Sequence, residues 1–243
     1  MQSNEDFRKK FYKSYFAHQA SRSGSVNLAE KLLDDHLHYR YDILPHMPED
    51  KGSSIVEIAC GYGSLLKFLV EKGYTPKGFD LSVDQIGVAT ELGLDAEVKD
   101  IGDWIGDSSD SVDVLLAIDL IEHFDKPQLL QLLIDLRKKV KAGGVFIART
   151  PNMDGIHPNQ YAFGDFTHGA LLNPSSAIQL FKAAGFSNIQ VLDSCVKIRG
   201  AKEMLRVFVW GFSRLRAKVQ LFGSGRSTRG VVLTPNIVIV ARP

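Results

Sequence analysis

The sequence predicts an α/β fold, a mostly parallel sheet of seven strands with helices on both faces. Three observations carry that expectation. From residue 54 onward, short apolar runs alternate with amphipathic runs of helical spacing. The run SVDVLLAIDL, 111–120, is nearly all apolar, as a strand covered on both faces must be. Glycines close the amphipathic runs in turn, at 73, 93, 143 with 144, and 185.

Taken in order, residues 5–44 read as amphipathic helix broken near Ser21-Arg22-Ser23-Gly24-Ser25, and Pro45 and Pro48 end it. SIVEIAC is the first strand and SLLKFLVEKG the first core helix. TPKGFDLS and VDQIGVATELG form the next strand and helix, and DAEVKD is a short third strand. SVDVLLAIDL is the fourth. KPQLLQLLIDLRKKVKAGG is a helix with a basic last turn and a glycine pair behind it, both stop signals. VFIARTP is the fifth strand and NPSSAIQLFKAAGF the last core helix, with Pro174 and Ser175 at its start. NIQVLDSCVKI and VVLTPNIVIVARP are strands six and seven. The chain divides into a helical lid (1–50), a core (51–198 with 230–243) and a helical insertion (199–229).

Composition excludes several functions. Among 243 residues the formal net charge is +1, so no global basic field attracts nucleic acid. Two cysteines, Cys60 and Cys195, are too few for a disulfide framework or a four-thiolate zinc site, and suit a reducing, cytoplasmic location. The first residues, MQSNEDFRKKFYKSYF, lack an apolar signal-peptide core. No run approaches the roughly 20 apolar residues that span a bilayer.

The first strand-to-helix turn carries the chemistry. In an open parallel sheet, ligands bind at the carboxyl ends of the strands, near the switch in strand order. Here Ala59-Cys60-Gly61-Tyr62-Gly63 makes that turn, and Gly61 and Gly63 allow close backbone approach. The third glycine of a dinucleotide loop would fall at Leu66, and no Walker-type lysine follows, so a pyrophosphate is a poor fit. Glu57 beside the turn would repel phosphates, yet can accept hydrogen bonds from an ammonium group. Asp80 ends the second strand, about twenty residues on, where a ribose diol is bound. Asp100, with Ile101 behind it, ends the third strand and suits an adenine amino group and ring face. Asp119 ends the fourth. Any one of these acids could be a helix cap. Four at the ends of four successive strands point to a phosphate-free, zwitterionic nucleoside.

These motifs together resemble the class I S-adenosylmethionine-dependent methyltransferases, from about residue 53 to 186. EIACGYG matches their first motif, with Ala59 in place of its first glycine. GFDLS, VKDIGDW and DVLLAIDLIEHF match the ribose, adenine and fourth motifs, and VKAGGVFIARTPN the turn and strand that follow. The resemblance implies a Rossmann-like sheet with an antiparallel last strand. It implies S-adenosyl-L-methionine as cofactor, held by Glu57, Ala59, Cys60, Gly61, Gly63, Asp80, Leu81, Asp100, Ile101 and Asp119. It also implies an N-terminal lid from which Tyr12, Tyr15, His18 and Arg40 reach the methionine carboxylate or the acceptor.

An alcohol acceptor needs a base or a metal beside the methyl. His123, four residues after Asp119, and His168 in GDFTHG are suitable bases, with Asp165 to orient a partner. His157 is a lesser candidate. Asp119, Asp165, His123 and His168 are also chemically able to hold Mg²⁺ or Mn²⁺, but their spacing is not diagnostic and no metal is assigned. In the insertion, aromatic and aliphatic residues at 203–222 interleave with Arg206, Arg214, Arg216 and Lys218, as in a helix lying on a membrane surface. Its other readings are packing on the sheet or on a second copy in a homodimer. The loop and insertion resemble the branch that methylates sugars in surface-polysaccharide or lipid-linked glycan synthesis. The expectation is therefore O-methylation of a sugar or glycan hydroxyl. The alternatives are a phenolic or quinone-precursor acceptor, with Phe163, Phe166 and Trp210 as an apolar slot, and a non-catalytic cofactor-binding subunit.

Overall fold

A computed structural model of the chain describes residues 28–107, 111–194 and 201–243, and the side chains of all of these except 201–203. The expected helix before residue 28, with Tyr12, Tyr15 and His18, and the end of the predicted sixth strand, with Cys195, lie outside the described residues.

The sheet runs in the order β3-β2-β1-β4-β5-β7-β6. Its strands are β1 Ile55–Ile58, β2 Pro76–Asp80, β3 Ala96–Val98, β4 Val112–Ile118, β5 Val140–Pro151, β6 Asn188–Asp193 and β7 Asn236–Arg242. Pairings from β3 across to β5 are parallel, and β7 is antiparallel to both its neighbours. That is the expected seven-stranded, Rossmann-like sheet with an antiparallel last strand. The order switches direction between β1 and β4, which places the ligand-binding crevice at their carboxyl ends.

Alternation along the central strands builds two cores. Leu115, Ala117, Phe146 and Ala148 face one side, against Leu129, Leu133 and Leu136 of α5 (Lys126–Lys139) and Phe181 of α7 (Pro174–Ala183). Phe146, Phe181 and Phe186 pack as a triad with centroids 5.4–5.8 Å apart. Val114, Leu116, Val145 and Ile147 face the other side, against Leu65, Phe68 and Leu69 of α2 (Ser64–Glu71) and Tyr39 and Ile43 at the end of α1 (Leu28–Asp42). Helix α3 (Val83–Glu91) closes a third cluster through Ile86 and Ala89.

Two boundaries differ from the sequence reading. The helix expected to run to Gly144 stops at Lys139, and β5 begins at once with Val140. The pairing shifts register between Val112 and Val114, so the glycine pair sits in an irregular stretch of strand. A Cβ on Gly144 would lie 2.7 Å from the Asp113 carbonyl oxygen, which explains the glycine. A short helix α4 (Ile101–Asp107) also follows β3, where none was expected. It buries only Trp104, too sparse a stripe to read as periodic. The remaining helices are α6 (Asn159–Ala162) and α8 (Ala201–Gly223).

Phe181 is fully buried at the centre of the aromatic triad. Phe181→Ala should cost about 3–5 kcal/mol of stability in urea unfolding, the usual penalty for emptying such a site. A loss below the scatter of surface substitutions would show that the triad is not central to the core.

Candidate functional site

The turn after β1 is wound through left-handed residues. Ala59, Gly61 and Gly63 have φ of 57°, 56° and 79°. A Cβ on Gly61 would approach Gln85 Oε1 to 2.7 Å, and one on Gly63 would approach Leu94 Cδ1 to 2.5 Å. Ala59 takes the first-glycine position in a conformation that is strained for a residue with a Cβ. The Gly61 N–H donates to Asp80 Oδ2 at 2.8 Å, and the Ser82 N–H donates to Asp80 Oδ1 at 2.8 Å. One carboxylate thus ties the turn to the end of β2, and each oxygen keeps a lone pair for a hydroxyl. Cys60 contributes backbone alone: its thiol is buried among Leu66, Ile86 and Leu94 and is pushed up by burial, so it is core rather than ligand contact.

Glu57 is the group least satisfied by the protein. It is buried, and among the described residues its Oε2 has no hydrogen-bond partner. Burial first, then the Asp80 charge, push its carboxyl well above the usual range, with Arg149 opposing. A buried carboxyl oxygen without a donor at the ligand edge suits a cationic ligand group. Beside it the surface turns apolar. Leu81, Val83 and Val98 are 57%, 69% and 48% exposed, and Val98 pairs with Asp80 across β2 and β3. An acid for a diol and an apolar shelf for a ring fit an adenosine. Asp100 is less committed to a ligand, since one of its oxygens accepts the Gly102 N–H at the start of α4.

Helix α1 covers the turn. Asp35 Oδ2 accepts from the Tyr62 hydroxyl at 2.6 Å and from Ser64 Oγ at 3.0 Å. Lys31 Nζ lies 4.6 Å from the Tyr62 ring centroid. Tyr39 and His36 pack on Phe68 below. The expected Arg40 is exposed and is not among these residues. Asp35 and Lys31, rather than Arg40, are the charged side chains that α1 brings to the turn.

Across the switch, Asp119 has φ 52° and its N–H donates to the Arg149 carbonyl. Its carboxylate meets the Arg149 guanidinium in a two-pronged ion pair, one prong being Nε to Oδ1 at 3.0 Å. Arg149 is nearly buried; desolvation opposes its charge, but the Asp119 charge and hydrogen bond, with Tyr39 and Asp35 further off, together keep the guanidinium protonated. Glu122 is buried beside them and accepts from Thr150 Oγ1 at 3.0 Å. Desolvation, then the Asp119 charge, push its carboxyl up to about 8.

The histidines come together beyond β4. His123 Nδ1 lies 2.7 Å from Thr167 Oγ1, and Thr167 Oγ1 donates to Asp165 Oδ1 at 2.7 Å. The single hydroxyl proton goes to the carboxylate, so the imidazole must donate from Nδ1, which makes Nε2 its basic atom. His168 Nδ1 donates to the Tyr161 carbonyl at 2.9 Å, which likewise leaves Nε2 basic. The two rings stand edge to face, 4.9 Å apart. The structure therefore gathers the three expected catalytic residues, through a threonine that the sequence did not single out. The four residues named as chemically able to hold a cation are divided, with Asp119 held by Arg149 and Asp165 by Thr167. Instead, potential ligand atoms of Glu122, His123 and His168 lie within 4.8 Å of one another. Burial, then the Asp119 charge, favour the protonated form of Glu122, which makes it a poor anionic ligand. His157, with φ 60°, is exposed, as are Phe163 and Phe166. Trp210 lies on α8 and no slot joins it to those phenylalanines among the described contacts. A hollow of about 360 Å³ opens at the opposite end of the sheet, lined by His46, Asp113 and Arg242, away from all of these groups.

A family described as a methyltransferase domain matches residues 29–191. The chain belongs to that methyltransferase-domain family. A trans-aconitate 2-methyltransferase of Mycolicibacterium gilvum is 33% identical over 66 residues, 26% of each chain. A ubiquinone biosynthesis O-methyltransferase of Agrobacterium fabrum is 29% identical over 112 residues, 44% of each chain. The matches thus span less than half the length of these relatives. A SAM-dependent methyltransferase from Archaeoglobus fulgidus superposes with TM-score 0.68 at 19% identity, over 94% of this chain and 99% of that one, a likeness of fold.

Several residues of the site escaped the sequence reading, among them Asp35, Val98, Glu122, Arg149 and Thr167. Arg149 had a signal: it is the one charge inside the apolar run VFIART, and a buried cation needs a partner. Thr167 had none, being one hydroxyl in a polar loop.

Glu122 yields a pH test. Its carboxyl titrates near the ordinary 4.5 when unfolded and at about 8 when folded. Between those values the folded state holds a proton that the unfolded state has lost, so stability falls as pH rises. Glu122→Gln has no such proton. The wild-type melting temperature should match that of the variant near the bottom of this window and drop progressively below it toward the top. A constant gap across the window would refute the assignment.

Proposed function

We propose that this chain transfers the methyl group of S-adenosylmethionine to a hydroxyl, with a sugar or surface-glycan intermediate as acceptor. The observation that carries the reading is the Asp165–Thr167–His123 chain at the edge of the sheet that also holds the glycine turn. S-adenosylmethionine is the methyl donor, and it supplies an electrophilic methyl on a sulfonium. Asp80 takes the ribose diol, Leu81 and Val98 flank the adenine, and Glu57 faces the cationic amino-acid end.

The protein's work is placement and proton removal. His123 Nε2 accepts the acceptor hydroxyl proton as that oxygen attacks. Thr167 fixes the ring through Nδ1, and the Asp165 carboxylate steadies the charge that develops on it. His168, set by the Tyr161 carbonyl, orients a second acceptor group. Phe163 and Phe166, each 77% exposed, offer apolar faces on which a sugar ring can stack. The same two rings favour a second reading, a phenolic or quinone-precursor acceptor, and the Agrobacterium relative is named as a ubiquinone biosynthesis O-methyltransferase.

Titration calorimetry with S-adenosylmethionine, S-adenosylhomocysteine and NAD tests the donor. The first two should bind and NAD should not. Asp80→Ala should weaken binding about 10- to 100-fold, the usual worth of hydrogen bonds to a charged group. An unchanged affinity in Asp80→Ala would remove the ribose assignment. With labelled donor and panels of activated sugars and catechols, His123→Ala should lower turnover about 10²- to 10⁴-fold with donor affinity unchanged. Full turnover in that variant would shift the base to His168. Donor binding without turnover on any acceptor would favour a cofactor-binding subunit.

A further inference from the structure

Helix α8 (Ala201–Gly223) displays its apolar side to solvent. Met204, Phe208, Phe212, Leu215, Val219 and Phe222 recur at three- and four-residue spacing, and each is 60% exposed or more. Leu205 and Val209 widen the stripe at 63% and 53% exposed. The opposite side is the one that packs, through half-buried Val207, Trp210, Ala217 and Leu221. Arg214 on that side reaches Asp193 at the end of β6, at 3.7 Å. The helix is therefore fixed by one narrow face and presents the wrong face for a soluble surface.

The charge around the stripe has one sign. Residues 204–229 contain Arg206, Arg214, Arg216, Lys218, Arg226 and Arg229, and no Asp or Glu. On the helical wheel Arg216 falls between Leu205 and Val209 on one side of the apolar stripe, and Lys218 borders the other side. Exposed Arg226 and Arg229 follow just past the helix end. An apolar strip with basic margins matches a lipid surface, with aromatics in the acyl boundary and cations among anionic headgroups. The helix does not suit a span, and no described helix is long and apolar enough to cross a membrane. A second copy of the chain would bring the same positive margin against itself, and like charges disfavour that pairing.

We propose that α8 is a membrane-surface anchor that lies flat on an anionic bilayer. This inference rests on the helix alone and stands whatever the acceptor is. Each basic residue held at such a surface strengthens binding about fivefold, and salt weakens that share.

The test is co-sedimentation of the full chain with phosphatidylcholine vesicles, with and without phosphatidylglycerol, at low and high salt. Binding to the anionic vesicles is expected, with little to the neutral ones and a marked loss at high salt. Phe208→Ser with Phe212→Ser should lower binding more than about tenfold, with melting temperature and donor affinity unchanged. Should that variant misfold, Arg216→Glu with Lys218→Glu asks the same question from the charged margin. Absence of binding to anionic vesicles overturns the proposal. So does a sedimentation-velocity dimer that the phenylalanine variant dissociates while vesicles fail to bind, which would assign the stripe to a second copy.

Discussion

The guanidinium of Arg149 is the constraint around which the ligand edge is organised. The ends of β1, β2 and β4 bring Glu57, Asp80, Asp119 and Glu122 into one neighbourhood, with Asp35 descending from α1. So many carboxylates cannot all be ionised and desolvated together. Each is resolved differently. Asp119 pairs with Arg149. Asp80 takes two backbone N–H groups and Asp35 two hydroxyls. Glu57 and Glu122, buried deepest, are driven toward the neutral acid. Arg149 acts on both through space and lowers each toward ionisation. Without it, the Asp119 carboxylate would stand unpaired next to a buried acid, and the left-handed backbone at Asp119 would lose the contact that holds it. A site with this balance remains electron-rich where a ligand enters. It suits a donor that carries positive charge on sulfur and nitrogen, and it disfavours a phosphate.

Most of the fold was legible because the signals that specify it are local. Period-two and period-3.6 patterns mark strands and helices, and glycines mark their ends. The errors fall where a local signal competes with a tertiary one. KKVKAGG reads as a helix tail because lysines and glycines end helices, yet Val140 is claimed by β4, and a glycine is needed at 144 for backbone clearance. The α4 segment carries two glycines and a single buried tryptophan, so its helix rests on the Asp100 cap and the packing of Trp104 on Phe79 rather than on pattern.

The candidate site was legible in a different way. Sequence order places Glu57, Asp80, Asp100 and Asp119 at strand ends, and the parallel topology then collects them at one edge. What it cannot supply is orientation. Asp100 lies at the right edge but bonds its own helix, and Arg40 lies on the right helix but on an exposed face. Cys60 lies in the right turn with its side chain in the core. Conversely, Thr167 matters only through two distances, each 2.7 Å, that no spacing in the sequence encodes.

Those two distances also distinguish the surroundings of the paired histidines. Both present Nε2 as the basic atom, but only His123 is backed through its other nitrogen by a hydroxyl and then a carboxylate. A proton gained at its Nε2 is therefore balanced within the protein. His168 is backed by the Tyr161 carbonyl, a dipole that fixes the ring without a countercharge. A buried imidazolium needs a compensating charge more than a partly exposed one does, and His123 is the more buried of the two. The protein thus places its anionic support behind the ring that needs it. This asymmetry favours His123 over His168 for the proton removal proposed above.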